Sequence, residues 1–328
     1  MSNPITIWFD RAPTPELVSL APPDAAVIWS ESEDQFAGIE EADGLVAGAS
    51  IIYNHSVFQR APKLRVLARA GIGFDNIVLA DATTAGVAVC NTPDGPTIST
   101  AEHALALIFS VTKRLKQSEN RLKRQEGNYV PNHNALELDG ARLTLIGLGR
   151  IGSRVAKIAN AAGLLVTGFD PFESDERFKT VGVMRATNLE EAVSEAQIVS
   201  IHAPLSPQTR HLVDSKLISG MRHGVFIVNT ARGGLIDDTA LLEALDSGKV
   251  AGAGLDVTEP EPLPLGHPLL THESVLITPH VASATNVGRS RIFTMALDQV
   301  LSALAGTKPS HILNPEVWPG RNSDSRDA

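Results

Sequence analysis

Three side chains in the second half of this 328-residue chain have the types and order of a proton-transfer site: Arg232, Glu261 and His280. Arginine is a planar, permanent cation that grips a carboxylate through paired N–H donors. Histidine gives and takes a proton near neutral pH. A glutamate beside it favours the imidazolium and orients the ring. Upstream lies a glycine-rich turn, Gly147-Leu148-Gly149-Arg150-Ile151-Gly152, of the kind that cradles a dinucleotide. A hydride carrier, an acid/base group and an anion clamp are the minimum equipment for interconverting a 2-keto acid and a 2-hydroxy acid.

The glycine turn has the right surroundings. Leu143-Thr144-Leu145-Ile146 reads as a strand before it, and Ser153 to Ala159 reads as a helix after it. Gly147 makes the tight turn, Gly149 lets the backbone approach a pyrophosphate, and Gly152 permits close helix–strand packing. The helix N-terminus then offers N–H groups and a partial positive charge. Arg150 either adds to the pyrophosphate site or lies on the surface. The next strand ends at Asp170, 23 residues after Gly147, where a carboxylate meets ribose hydroxyls and repels a 2′-phosphate. The spacing predicts NAD, with NADH preferred over NADPH.

The elements that must hold these groups are short apolar runs alternating with helices. One series comprises Ile5–Phe9, Ala26–Trp29, Leu45–Ala47, Arg65–Ala68 and Val87–Val89. The other comprises Leu143–Ile146, Leu165–Phe169, Ile198–Ile201, Val225–Val228, Gly252–Leu255 and Val275–Ile277. Continuous rather than alternating hydrophobicity marks strands buried on both faces, hence parallel sheets built from βαβ units. The fold class is α/β, with two doubly wound parallel-sheet domains. Long helices are expected from about Ile98 to Arg124 and from about Thr285 to Leu304. They set the domains at residues 1–101 with 286–328, and 102–285. Asn128 to Asn134 reads as an irregular loop, and the polar tail Pro319 to Ala328 is expected to be disordered.

Composition narrows the function class. Hydrophobic content of 43% and charge of 20% suit globular cores, and a net charge of −9 argues against nucleic acid or an anionic membrane as partner. The basic cluster Lys113, Arg114, Lys116, Arg121, Lys123 and Arg124 is expected to be a solvated helix face. A single cysteine, Cys90, excludes an internal disulfide and fits the cytoplasm. Met1 to Asp10 has no signal-peptide pattern, and no apolar run is long enough to span a membrane. No His/Cys/Asp spacing suggests a metal site.

Polar segments follow four further strands: His202-Ala203-Pro204-Leu205, Asn229-Thr230-Ala231-Arg232-Gly233-Gly234, Asp256-Val257-Thr258-Glu259-Pro260-Glu261-Pro262 and Thr278-Pro279-His280-Val281-Ala282-Ser283-Ala284-Thr285. With Arg69 to Asn76 and Asn314 to Val317, in this order, they make a chain that resembles the D-isomer-specific 2-hydroxyacid dehydrogenases over nearly its whole length. The resemblance implies a flavodoxin-like substrate domain and a Rossmann cofactor domain with a cleft between them, in a homodimer. It implies that Arg232 binds the substrate carboxylate, that His280 is the acid/base and that Glu261 pairs with it. Backbone N–H groups of Ile72 and Gly73 would help to hold the carboxylate. The cofactor-facing set is Gly147, Gly149, Arg150, Ile151, Gly152, Asp170, His202, Ala203, Pro204, Thr230, Ala231, Asp256, His280 and Ser283. Asp256 is expected to contact the nicotinamide side or to influence the local field. Glu259 rivals Glu261, and the family pattern favours the acid directly before Pro262. The ring of His202, like His267 and His272, is expected in a loop or at the surface, with the His202-Ala203-Pro204 backbone lining the cofactor.

The substrate is less sharply written. Family members that act on phosphorylated three-carbon acids tend to carry an arginine after the strand at Leu45, where this chain has Gly48-Ala49-Ser50. No regulatory domain follows within the 328 residues. Both points weigh against 3-phosphoglycerate, and Glu261 in place of an amide weighs against formate. The run from Glu261 to Leu269 is similar to the glyoxylate and hydroxypyruvate reductase branch. Ile51, Ile52 and Tyr53 suggest a modest apolar or neutral pocket. The alternatives are phosphoglycerate or phosphite oxidation on the same scaffold, or an NAD(H)-sensing, corepressor-like binding protein.

Overall fold

A computed structural model describes residues 4–318, so the polar tail from Pro319 lies outside the described residues. The chain divides into two compact units: residues up to Pro96 together with those from Asn286 onward, and Thr97–Thr285.

The first unit holds a five-stranded parallel sheet: β1 (Thr6–Phe9), β2 (Ala26–Trp29), β3 (Gly44–Ala47), β4 (Val66–Arg69) and β5 (Ala88–Asn91), in the order β2-β1-β3-β4-β5. Side chains alternate between faces along each strand. Trp8, Leu45, Leu67 and Val89 enter one core, and Ile7, Phe9, Val46, Val66 and Cys90 enter the other. Both faces are dry, which is why the strands read as unbroken apolar runs. Burial pushes the Cys90 thiol up to about 12, so it packs as a small hydrophobe.

The edge strand β5 is covered by chain that returns from far away. Leu313 N–H donates to Val89 O at 2.7 Å, and Asn314 Oδ1 accepts from Val89 N–H at 2.7 Å. Asn314 Nδ2 donates to Val87 O at 2.9 Å, and the residue is 2% exposed.

The second unit holds seven parallel strands: β6 (Arg142–Ile146), β7 (Leu165–Phe169), β8 (Met184–Arg185), β9 (Ile198–Ile201), β10 (Val225–Asn229), β11 (Val250–Leu255) and β12 (Val275–Ile277). Their order is β12-β11-β10-β9-β6-β7-β8. Alternation again feeds two cores, Ile146, Ile201, Ile227 and Leu255 on one side and Leu143, Leu145, Phe226 and Val228 on the other. The helix Thr97–Thr112 lies close on β11 because Gly254 has no side chain. A Cβ there would sit 3.0 Å from Leu107 Cβ.

Three expectations change. The single helix over about 98–124 is two, Thr97–Thr112 and Leu115–Lys123, because Arg114 adopts a left-handed conformation (φ 51°) and its Nε donates to Asn134 O at 2.5 Å. The seventh strand, β8, is only two residues long and carries no periodic signal. The basic cluster is not simply a solvated face. Lys113 Nζ donates to Leu136 O at 2.8 Å and Lys116 Nζ to Val275 O at 2.6 Å, so these ammonium groups satisfy carbonyls that would otherwise lack partners. Partial burial accordingly lowers the Lys116 pKa.

Replacing Asn314 by Leu removes a donor and an acceptor from a dry strand edge. The denaturation midpoint should fall by the equivalent of about 2–3 kcal/mol. A chemical unfolding curve that overlays the wild type would refute the role of this amide.

Candidate active site

In the second sheet the chain runs outward from β6 through β7 to β8, then returns to β9 and runs the other way. The carboxyl ends of β6 and β9 therefore form a topological switch point, where open α/β sheets place ligands. The glycine turn sits on it. Gly147 (φ 96°) lies so close to the chain leaving β9 that a Cβ would fall 2.7 Å from His202 C. A Cβ on Gly152 would collide with Gly147 O. Over Gly149, by contrast, a Cβ would meet nothing within 4 Å. Gly149 caps the helix Arg150–Ala161 without a side-chain acceptor. This is an open cradle of helix-terminal N–H groups suited to a pyrophosphate. Arg150 is exposed in the first turn, and Ile151 is half-buried against the core.

Asp170, at the end of β7, accepts from Leu148 N–H at 2.8 Å through Oδ2 and from Phe172 N–H at 3.0 Å through Oδ1. The carboxylate thus braces the glycine turn and remains half-exposed, with an unused lone pair on each oxygen.

The turn after β10 is shaped by Asn229, which is fully buried. Its Oδ1 accepts from Ala231 N–H at 3.0 Å and its Nδ2 donates to Arg232 O at 2.8 Å. Thr230 is 7% exposed, and its hydroxyl has no hydrogen-bond partner among the described residues. A buried orphan hydroxyl at the carboxyl end of β10 fits a nicotinamide dinucleotide that would satisfy it. Gly233 presses against Thr258; a Cβ there would overlap the Thr258 carbonyl, so the arginine turn and the segment carrying Glu261 are in direct contact.

Glu261 and Glu259 go to different partners. Glu261 Oε1 meets His280 Nδ1 at 2.5 Å. Glu259 forms a two-pronged pair with Arg210, at 2.7 and 3.1 Å. With Nδ1 facing Glu261, His280 Nε2 has no partner among the described residues and is the nitrogen left to meet a ligand. His280 itself sits at φ 53°, a left-handed conformation that is strained for a side-chain-bearing residue.

Asp256 is 1% exposed and hydrogen-bonded into the histidine turn. Oδ1 accepts from Thr278 Oγ1 at 2.6 Å and from Val281 N–H at 2.9 Å; Oδ2 accepts from Ala282 N–H at 2.8 Å. Its own carbonyl accepts from His280 N–H at 2.7 Å. Burial alone would push this carboxyl up. The hydrogen bonds from His103, Thr278, Val281 and Ala282 outweigh it, so the net direction is down. His103, on the helix Thr97–Thr112, reaches Thr278 Oγ1 at 2.9 Å and Asp256 Oδ1 at 3.4 Å. Neither His103 nor Thr278 stands out in the sequence; the only local signal is that Thr278 directly follows a strand. Ser283, half-buried, ends this turn.

In the first unit, the chain leaving β4 is pinned by Gly71 N–H donating to Thr92 Oγ1 at 2.7 Å and by Asn91 Nδ2 donating to Ile72 O at 2.7 Å. This fixes the backbone of Ile72 and Gly73. The first sheet has its own switch point, between β1 and β3. There the end of β3 is not without a cation. Arg11 lies against Gly48, in the space a Cβ on Gly48 would occupy. Its Nε donates to Asp10 Oδ1 at 3.2 Å, while Asp10 Oδ2 accepts from Gly48 N–H at 2.5 Å.

His202 lies in the loop after β9, as expected, with its side chain half-buried rather than at the surface. Its ring packs under the glycine turn with Nε2 3.0 Å from Ser200 Oγ, and burial lowers its pKa to about 4. Ala203 beyond it is half-buried and Pro204 is exposed. Among the described residues no group of three or more His, Cys, Asp or Glu is arranged to hold a metal ion, and no helix is long and apolar enough to cross a membrane. Because the folded pKa of His202 lies below its ordinary 6.5, the unfolded chain binds a proton first as pH falls. Stability is therefore complete above pH 6.5 and should decline toward pH 4, by at most about 3 kcal/mol from this residue. His202→Gln should flatten the urea midpoint across that window; an unchanged slope would show that the ring titrates normally.

Comparison with known proteins places this geometry. The profile described as "D-isomer specific 2-hydroxyacid dehydrogenase, NAD binding domain" matches residues 105–282. The chain is 38% identical to D-3-phosphoglycerate dehydrogenase of Bacillus subtilis over 87% of its own length and 53% of that protein. It is 35% identical to glyoxylate reductase of Korarchaeum cryptofilum over 90% of this chain and 88% of that one. The chain thus spans about half the length of the first of these relatives. Among solved structures, D-lactate dehydrogenase of Aquifex aeolicus, complexed with NAD and lactic acid, superposes with a TM-score of 0.81 at 27% identity, covering 94% of this chain and 98% of that one. With its cofactor-domain profile, its relatives and its fold in agreement, this chain belongs to the D-isomer-specific 2-hydroxyacid dehydrogenase family.

Proposed function

We propose that this protein is an NAD-dependent oxidoreductase that moves a hydride between a nicotinamide and a small D-2-hydroxy or 2-keto acid. The observation that carries the reading is the 2.5 Å pair between His280 Nδ1 and Glu261. It leaves Nε2 as the working nitrogen, on the same sheet edge as the arginine turn and the glycine turn. Gly147 to Gly152, Asp170 and Thr230 would hold the cofactor, which would supply or accept the hydride. In reduction, His280 Nε2 gives its proton to the carbonyl oxygen as the carbon gains the hydride; in oxidation the same nitrogen takes the hydroxyl proton. Glu261 accepts the Nδ1 proton's hydrogen bond throughout and keeps the ring in register. Arg232 binds the substrate carboxylate and polarises the keto oxygen, and the Ile72–Gly73 backbone adds amide donors. Asp170 favours NADH over NADPH by repelling a 2′-phosphate. The family resemblance supports a homodimer, and a lone buried Cys90 suits a reducing compartment.

For the substrate, the loop from Glu261 to Leu269 supports a glyoxylate or hydroxypyruvate-type reductase. One observation favours a second reading, a substrate with a distal phosphate such as 3-phosphohydroxypyruvate. Arg11 stands at the first sheet's switch point, its side chain 52% exposed and steered by Asp10. It supplies the cation that Gly48-Ala49-Ser50 lack.

One assay separates these. The loss of NADH absorbance is followed with glyoxylate, hydroxypyruvate, pyruvate, phenylpyruvate and 3-phosphohydroxypyruvate, and again with NADPH. His280→Ala should lower kcat by roughly 10²–10⁴-fold with the best acid. NADH binding without turnover of any acid would overturn the enzymatic reading in favour of a nucleotide-sensing protein. In the same panel, Arg11→Ala should raise KM for the phosphorylated acid roughly ten- to a hundredfold and spare hydroxypyruvate if the second reading holds. Equal effects on both would refute it.

A further inference from the structure

We propose that His103 is a positioning residue for the turn that carries His280, acting as an N–H donor through Thr278 and Asp256. The inference rests on the reading of His280 as the acid/base, but its geometry stands apart from any substrate.

Proton accounting fixes the roles. Asp256 is an ionised acceptor, so the 2.6 Å contact with Thr278 requires the threonine hydroxyl to donate to Oδ1. The Thr278 oxygen is then left as an acceptor, and the 2.9 Å contact with His103 requires His103 Nε2 to carry the proton. That N–H also points toward Asp256 Oδ1 at 3.4 Å, so one donor serves both oxygens. Donation runs from His103 to Thr278 and from Thr278 to Asp256, which also accepts from the N–H groups of Val281 and Ala282, and Asp256 O accepts from the N–H of His280 itself.

This clamp has a strain to hold. A histidine at φ 53° is disfavoured relative to a right-handed conformation and persists only where its surroundings over-determine it. The Asp256 side chain is fully buried and that of His103 is 22% exposed, so water does not readily substitute for a lost donor. The helix bearing His103 is itself set at fixed distance from β11 by Leu107 against Gly254. His103 lies one helical turn before Leu107, on the same face. The imidazole is thus a strut of defined length between a rigid helix and the histidine turn.

The test uses His103→Leu, which fills the space without a donor, His103→Gln, which restores an N–H, and Thr278→Val, which removes the relay hydroxyl. Amide hydrogen exchange of residues 278–284 is measured for each, alongside NADH-dependent turnover of the best keto acid. His103→Leu and Thr278→Val should speed exchange of Val281 and Ala282 about tenfold or more, lower kcat by a similar factor and leave KM for NADH within about twofold. His103→Gln should recover most of both losses. If the Leu and Gln variants behave alike, or exchange in the Leu variant matches wild type, the donor role is wrong. If wild-type protein turns over no keto acid, the enzymatic reading fails, and the exchange data still decide whether His103 holds the turn.

Discussion

The arrangement of the site depends on one buried carboxylate. Asp256 gives up solvent, and its oxygens accept mainly from the turn between β12 and the helix that follows, with His103 alongside. A desolvated carboxylate is tolerable only when its hydrogen bonds are complete, so the requirement to satisfy Asp256 dictates the path of residues 278–282. That path forces His280 into a left-handed conformation and turns its ring toward Glu261. His280 is therefore not placed by its own preferences. It is placed by an anion beneath it, whose energy rises if the turn relaxes.

Around this clamp the two other loops are held by backbone complementarity rather than by long side chains. Asn229 closes the arginine turn on itself, and Gly233 lets that turn touch the backbone at Thr258. The glycine turn lies against the chain leaving β9 with no room for a Cβ on Gly147. Such contacts are short, and they have few rotamers to lose. They suit a site whose reacting groups must keep their geometry while ligands enter and leave.

How much of this was legible in the sequence follows from how local each determinant is. The strands could be read because both faces of each sheet are apolar, as the split of Trp8 and Ile7 into separate cores makes plain. The glycine turn and Asp170 could be read because their spacing is set within one βαβ unit. Arg232, Glu261 and His280 stood out through motifs that keep order along the chain, though composition alone does not separate Glu261 from Glu259, two residues away; only their partners do. The break at Arg114 was illegible because an arginine gives no sign of a left-handed conformation, which here is secured by Asn134. The inward turn of Asp256 and the contact with His103 were illegible for a different reason. His103 and Thr278 are 175 residues apart, and nothing near either one announces the other. Arg11 escaped likewise, since its place beside Gly48 comes from the pairing of β1 with β3.

The clasp of Asn314 on β5 gives the chain a history as well as a shape. The second unit is one continuous stretch, whereas the first is assembled from both sides of it. The bond from Val89 to Asn314 spans 225 residues. In equilibrium that separation matters little, since each doubling of a loop adds only about 0.6 kcal/mol of closure entropy. In time it matters more. A growing chain emerges from its N-terminus, and β5 is translated long before the residues that cover it. During synthesis the inserted unit can acquire all its partners while the flanking one still presents an open strand edge. The half that starts first is thus the half whose strand-edge partner is translated last.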